Sequence, residues 1–298
     1  MTATTLISDA PQTESRPARH PRGARGPRIA AGLLRGILVV AFLFGALFPL
    51  AWLVISGFKA RNEVTRTPFQ FFPEVWKWEN YAQILSDPAF LRTVLVTLAG
   101  ALIFAALSVA INSMAAYVFA RLDFAFKRLV WVVVIGTMFL PGMAILLTSF
   151  IVVTRLHMLD TLAVLILPGA ASAAQIFFLR QFYLSVPRAL EESAFIDGAG
   201  RFRIFVSIFV PMSKPVFVVV AMTSFLAFWN SYVWPVMTIS SPDLFQIQQY
   251  LASFRFERGN SELGLLMAGS ALAAAPVIIL CLVLQRYIVE GIKISGIK

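Results

Sequence analysis

Six stretches of this chain are long and apolar enough to cross a lipid bilayer: roughly 36–58, 92–120, 129–154, 161–182, 215–237 and 264–288. Crossing the hydrocarbon core takes about 20 residues of helix. In lipid a helix is the fitting form, because it satisfies its own backbone hydrogen bonds. The strict polar–apolar alternation of a membrane barrel strand is absent, which argues against a β-barrel. Composition agrees: 59% of the 298 residues are hydrophobic and only 13% are charged, against about 25% in an ordinary globular chain. A water-soluble fold of this size could not cover itself with so few charges. The expected fold class is an all-α membrane protein of six transmembrane helices. Pro49, Pro141, Pro168, Pro235 and Pro276 fall within or near those runs, where they are expected to kink or break the helices.

The net charge of +10 raises the question of nucleic acid, and its distribution answers it. With the N-terminus inside, the inner segments hold 17 Lys and Arg and the outer segments eight. That bias places both termini in the cytoplasm of a multi-pass cell-membrane protein, and makes the basic balance a topology signal. Residues 1–30 mix Pro11, Pro17, Pro21 and Pro27 with Arg16, Arg19, Arg22, Arg25 and Arg28. This stretch cannot bury a core and reads as a disordered cytoplasmic tail, ahead of a membrane domain over 31–298. The first apolar run is too long for a signal h-region and lacks a small-residue cleavage site, so it reads as a retained span. The single Cys281 can form no internal disulfide and reads as a small buried apolar residue. His20 and His157 stand far apart, and no metal-ligand cluster is visible. In the first outer loop, 62–88, Trp76, Trp78 and Tyr81 suit either an interfacial anchor or a docking surface for an external protein. Phe254–Glu257 carries the same ambiguity.

The longest charged interruption in the apolar second half is 186–215, VPRALEESAFIDGAGRFRIFVSIFVPMSKP. Pro187 suits a first helical position. Glu191 and Glu192 fall in the first two turns, near the positive end of the dipole. Gly198 stands where a left-handed cap would stop the helix. Phe202, Phe205, Val206 and Phe209 at i, i+3, i+4 and i+7 predict one apolar helical face. Pro211 and Pro215 then predict a step into the next span.

Glu192-Ser193-Ala194, three residues, Gly198, nine residues and Ile208-Phe209-Val210-Pro211 resemble the EAA loop of ATP-binding-cassette (ABC) importer permeases, with Ser193 and Val210 in place of alanine and leucine. The Asp197-Gly198-Ala199 and Ser213-Lys214-Pro215 runs resemble the carbohydrate-uptake, maltose-type branch. Met114–Arg121, Pro141-Gly142, Phe178–Phe182, Gln285-Arg286-Tyr287 and Gly296-Ile297-Lys298 extend the resemblance over most of the chain after the tail. It departs at Trp229-Asn230-Ser231, where members often carry an acidic third residue, and at Val96-Thr97, where Asn-Ser is common. The resemblance implies a MetI-like permease whose 186–215 loop docks into the ATPase subunit. It puts Arg188, Glu191, Glu192, Ala194, Phe195, Asp197 and Gly198 in the coupling helix. It also implies a second, non-identical permease chain, two ATPase subunits that bind ATP and Mg, and an external solute-binding protein, with no cofactor in this chain. The implied cargo is a sugar or related polyol.

Polar residues inside spans are costly and face the bundle or a cavity. Asn112, Gln175, Trp229 and Asn230 are the candidates for a substrate path, Trp229 and Asn230 pairing an aromatic face with an amide. Helix–helix hydrogen bonding is the other reading of such residues, Ser108 and Ser113 included. The chain has no phosphate-cradling G-x-x-x-x-G-K-[ST] and no catalytic triad or carboxylate pair in a plausible cleft, so it is not expected to be an enzyme. A secondary, ion-coupled carrier is the alternative. The lack of an acid or lysine deep in any span weighs against it.

Overall fold

The structure is a computed structural model that describes residues 25–61, 63–257 and 262–295, with side chains placed over 34–254 (except 62) and 262–285. All regular elements among the described residues are helical. Contacts divide the chain after Pro49. Most of helix α1 (Arg25–Ser56) lies in the first unit, and its side chains from Leu34 to Pro49 are all exposed. The Leu34–Ser56 stretch has a mean hydropathy of 2.6. A helix apolar on every side belongs in lipid. Residues 1–24 of the expected tail lie outside the described residues. Residues 25–30 belong to α1, and Pro27 in its first turn removes no hydrogen bond the helix needs.

The second unit begins at Leu50. Its helices are α2 (Trp78–Ser86), α3 (Pro88–Arg121), α4 (Lys127–Gly136), α5 (Gly142–Arg155), α6 (Leu162–Ile166), α7 (Ala173–Ser185), α8 (Ala189–Ile196), α9 (Arg201–Ile204), α10 (Val210–Met212), α11 (Lys214–Trp229), α12 (Val233–Thr238), α13 (Ile247–Glu257) and α14 (Leu263–Ser295). Helix α3 is the axis. Asp87 caps it by accepting from the Ala89 N–H at 2.8 Å, with Pro88 at its first position. Toward its start Phe90, Ala101 and Phe104 join Phe225, Phe228, Tyr250 and Leu265 in one buried cluster. Toward its end Ala116, Tyr117 and Ala120 join Leu179, Tyr183, Phe205 and Phe209 in a second. Small residues let the backbones approach. A Cβ on Gly100 would lie 2.5 Å from the Phe228 ring.

Three described helices are long and apolar enough to cross a membrane: Leu34–Ser56, Pro88–Arg121 and Leu263–Gln285. Two bent pairs, Lys127–Phe139 with Gly142–Arg155 at 108° and Arg201–Met212 with Lys214–Trp229 at 81°, raise the number to five if each is one crossing. The fourth expected run, 161–182, is not one continuous helix. It is α6 and α7 separated by 167–172, because Pro168 has no N–H to continue the ladder. Similarly, the third run breaks at Pro141, and the fifth breaks at 230–232 ahead of α12. Pro49 and Pro276 remain inside their helices, and Cys281 is only partly buried.

The loop after α1, 57–77, folds over the last turns of that helix. Phe58 lies within 4.5–5.3 Å of the Trp76, Trp78 and Tyr81 rings. Asn80 Nδ2 donates to Gly57 O and Lys59 O at 2.9 and 3.1 Å. Lys59 is buried, bonded to Gln70 O and set 4.1 Å over the Trp52 ring. Burial pushes its ammonium below the usual lysine range, and Glu63 acts in the opposite direction.

Candidate functional site

Helix α8 occupies the centre of the loop. It begins two residues after Pro187, with the Leu190 N–H returning to Pro187 O (3.4 Å) and the Glu191 N–H (2.9 Å) and Glu192 N–H (3.0 Å) to Arg188 O. Its end is as expected: Gly198 takes φ +78°, and the Ala199 N–H returns to Ala194 O at 2.9 Å. A Cβ on Gly198 would meet nothing within 4 Å. The need for glycine is therefore one of backbone conformation and not of space.

The following segment corrects one expectation. Phe205 and Phe209 are buried, but Phe202 is 73% and Val206 45% exposed. The buried residues are instead Ile204, Phe205 and Phe209, with Ile208 half-buried. Residues Phe205–Phe209 form a π-helical turn. Its extra residue per turn rotates the face away from the 3.6-residue register.

The two adjacent glutamates separate. Glu192 is exposed, along with Arg188, Asp197, Phe195 and Ile196, while Glu191 is buried. Glu191 Oε1 lies 3.1 Å from Arg121 Nε, with both side chains less than a tenth exposed. The N–H is not aimed at that oxygen, so the contact is an ion pair without an aligned hydrogen bond. Arg121 Nη2 donates to Tyr183 O at 2.5 Å and to Val186 O. Its guanidinium sits 5.3 Å from the Phe209 ring centre. Arg121 thus joins the end of α3, the end of α7, the π turn and α8. The sequence placed it in the second-span ending and missed this role. The available signal was a cation directly following an apolar run, at the loop end of the bundle. A cleft of about 250 Å³ opens beside the pair, lined by Arg188, Glu192, Phe195, Arg201, Asp123 and Lys127 among others. The Arg201 guanidinium covers the Phe195 ring at 4.4 Å. Ala194 is half-buried against the second core cluster.

The four path candidates do not share one environment. Asn112 is fully buried and donates to Ala170 O (3.0 Å) and Gln175 Oε1 (2.8 Å). It accepts from the Ser172 N–H at 2.9 Å. Gln175 Nε2 continues the chain to Ser224 Oγ at 2.8 Å. These bonds bind the break between α6 and α7 to α3 and α11, satisfying backbone groups that the missing helical turn leaves open. Trp229 is buried and stacked on Phe225, centroids 5.6 Å apart. Asn230 is exposed, and its N–H closes α11 on Leu226 O at 3.0 Å. Thr97, at the departure noted above, is buried and accepts the Ile247 N–H at 2.9 Å. No group of three or more His, Cys, Asp or Glu capable of holding a metal occurs among the described residues.

A cavity of about 360 Å³ lies beside the breaks. Gly142 from the α4–α5 break, Pro168 and Gly169 from the α6–α7 break and Ser231 from the α11–α12 break all line it, with Phe104, Phe228, Trp234, Ser149 and Gln246. Gln246 is 1% exposed, and its Oε1 has no partner among the described residues.

Residues 113–294 match the model of the family described as "Binding-protein-dependent transport system inner membrane component". The arabinooligosaccharides transport system permease protein AraQ of Bacillus subtilis is 31% identical over 274 residues, 91% of this chain and 96% of that protein. The diacetylchitobiose uptake system permease protein NgcG of Streptomyces coelicolor is 30% identical over 263 residues, 86% of this chain and 85% of the relative. Among solved structures, a bacterial ABC transporter involved in the import of the acidic polysaccharide alginate superposes with a TM-score of 0.76. It does so at 22% identity, over 90% of this chain and 100% of that one, a likeness of fold. The match of family model and of near full-length relatives sets aside the ion-coupled carrier. This chain belongs to the binding-protein-dependent transport system inner membrane components, the non-catalytic permease subunits of ABC importers.

Proposed function

We propose that this chain forms one half of the transmembrane path for a sugar or related polyol. In this reading the membrane domain, 31–298, crosses six times, the pair α6–α7 serving as a broken fourth crossing. Both termini and the 186–215 loop lie in the cytoplasm, as the 17-to-8 distribution of Lys and Arg favours. A second, non-identical permease chain completes the path. Two ATPase subunits bind ATP and Mg below it, and an external solute-binding protein delivers the cargo. The sugar assignment draws on the relatives, whose names specify arabinooligosaccharides and diacetylchitobiose.

The observation that carries the coupling part is the divided fate of Glu191 and Glu192. Arg188, Glu192, Phe195, Asp197 and the Gly198 turn stand outward as the docking face. Glu191 and Ala194 fasten the same helix inward to the bundle. A load applied to α8 then reaches α3 through Arg121. The path part rests on the cavity beside the three breaks. Its aromatic rings suit a sugar's C–H faces, and Ser231 and Gln246 suit its hydroxyls. Asn230 adjoins it in sequence. In this reading Asn112 and Gln175 hold its wall, and Trp229 backs it.

Reconstitution with the ATPase tests the coupling. Glu192→Lys reverses a charge on the docking face and should weaken co-purification of the ATPase or uncouple hydrolysis from uptake. Gly198→Val should misdirect the segment after α8 at a cost of about 1–2 kcal/mol. Transport at the parent rate by both variants would reduce the loop to a connector. Orientation has its own test. A reporter fused after Lys298 should be active only in a form that works in the cytoplasm, and one at Pro73 only in a form that works outside. The reverse pattern overturns the topology.

A further inference from the structure

We infer that the bundle carries a binding site for the phosphate of an anionic phospholipid, between the end of α3, the start of α4 and α7. A cavity of about 280 Å³ there is lined by Phe119, Lys127, Arg128, Trp131 and Arg180, three cations and two rings with no carboxylate in the wall. The rings hold one cation in place. The Arg180 guanidinium lies 4.4 Å over Trp131, and its Nε donates to Phe119 O at 3.2 Å. Trp131 is itself packed on Phe119 (5.1 Å) and stacked on Phe177 (6.3 Å). One edge of the guanidinium is thereby fixed, and its two terminal nitrogens have no other partner among the described residues. Arg128 is exposed, and its side chain makes no ion pair or hydrogen bond among the described residues. Lys127 is already engaged, with Leu122 O at 2.6 Å and Asp123 Oδ1 at 3.2 Å.

The position decides the kind of anion. Lys127 and Arg128 open the bent pair Lys127–Phe139 with Gly142–Arg155, which is apolar enough to cross a membrane if it is one span, and the charged end of such a span sits at the headgroups. Beyond them the exposed side of α4 is purely apolar: Leu129, Val132 and Val133 are each about 60% exposed. Cations over a bare apolar wall match a phosphate with acyl chains below it. A soluble anion has no use for the wall. Trp131 at this depth is an interfacial residue in its preferred place. The positive end of the α4 dipole adds to the attraction. This site is separate from the sugar path; it shares only Lys127 with the cleft beside α8.

Native mass spectrometry of the purified full chain tests the site, titrated with phosphatidylglycerol, phosphatidylcholine or glycerol 3-phosphate. One phosphatidylglycerol should be retained in preference to phosphatidylcholine. Arg128→Gln should weaken that retention about fivefold and Arg128→Gln with Arg180→Gln about 25-fold, at roughly a factor of five per interfacial cation. Arg155→Gln, an equal loss of charge at the far end of α5, should leave it unchanged. Because Arg180 also bonds the α3 backbone, Arg128→Gln alone decides the outcome if the double variant unfolds. Equal retention of the two lipids, or parent-like retention by Arg128→Gln, overturns the proposal. Displacement of phosphatidylglycerol by glycerol 3-phosphate overturns it as well, since the occupant is then a soluble phosphate.

Discussion

Replacing Arg121 with methionine is expected to destabilise the folded chain by about 3–5 kcal/mol, the cost of leaving a buried carboxylate without its partner. Glu191 and Arg121 are both nearly closed to solvent, so water cannot take over the role of the missing ion. Glu191→Leu should cost less, because the Arg121 that remains keeps two carbonyl acceptors, Tyr183 O and Val186 O. The double variant removes both charges and should recover most of the loss, since exchanging a buried pair for apolar side chains is commonly neutral. Recovery stops short of complete. Tyr183 O keeps the Val186 N–H at 3.2 Å, but Val186 O loses its Arg121 donor, worth about 1 kcal/mol. Unfolding of the two single variants and the double in detergent gives the coupling energy, expected at about 2–4 kcal/mol or more, since the double variant keeps only a small part of the Arg121→Met loss. Additive single effects would show that the pair contributes nothing as a pair. Under the proposed coupling, the double variant should also fold yet transmit poorly in the assembled importer. Its α8 is no longer tied to α3.

The boundary between what the sequence reveals and what it hides follows the range of the interactions. The Gly198 turn was legible because a left-handed cap is decided by a few neighbouring residues. The all-helical, apolar character of the membrane runs was legible because solvation acts on every residue of a run alike. Their number was not: three of the described helices, or up to five crossings with the bent pairs, are long enough to span, not six. The fate of Glu191 and Glu192 was not. Helical geometry says that the two point about 100° apart, but which one turns inward depends on Arg121, far away in the chain. Nor was the π turn at Phe205–Phe209 visible: spacing arguments assume 3.6 residues per turn, and a local widening defeats them. The run 161–182 shows the same limit. Pro168 announced an interruption. Two groups within it, Ala170 O and the Ser172 N–H, are held by Asn112 on another helix, and no window along the chain contains both.

That last dependence makes Asn112→Leu the most informative change in the bundle. Leucine has nearly the same size and leaves no void, so the effect isolates the hydrogen bonds. Two estimates compete. Side-chain bonds between membrane helices average only about 0.6 kcal/mol, because an unfolded chain in the membrane finds other partners. A buried backbone group stripped of its partner costs about 1–3 kcal/mol. The second governs here, because the Ala170 carbonyl and the Ser172 N–H sit in a break where no helical turn can take them up. Asn112→Leu should therefore cost about 2–4 kcal/mol. Gln175→Leu, which breaks only the side-chain links to Asn112 and Ser224, should cost about 1 kcal/mol or less. Thermal unfolding of both purified variants checks the order. Equal, small losses would mean that the break closes on itself without Asn112. If the order holds, Asn112 acts in the path by fixing where the α6–α7 break lies. The cavity beside Gly169 then keeps its shape only while that amide holds both ends of the break.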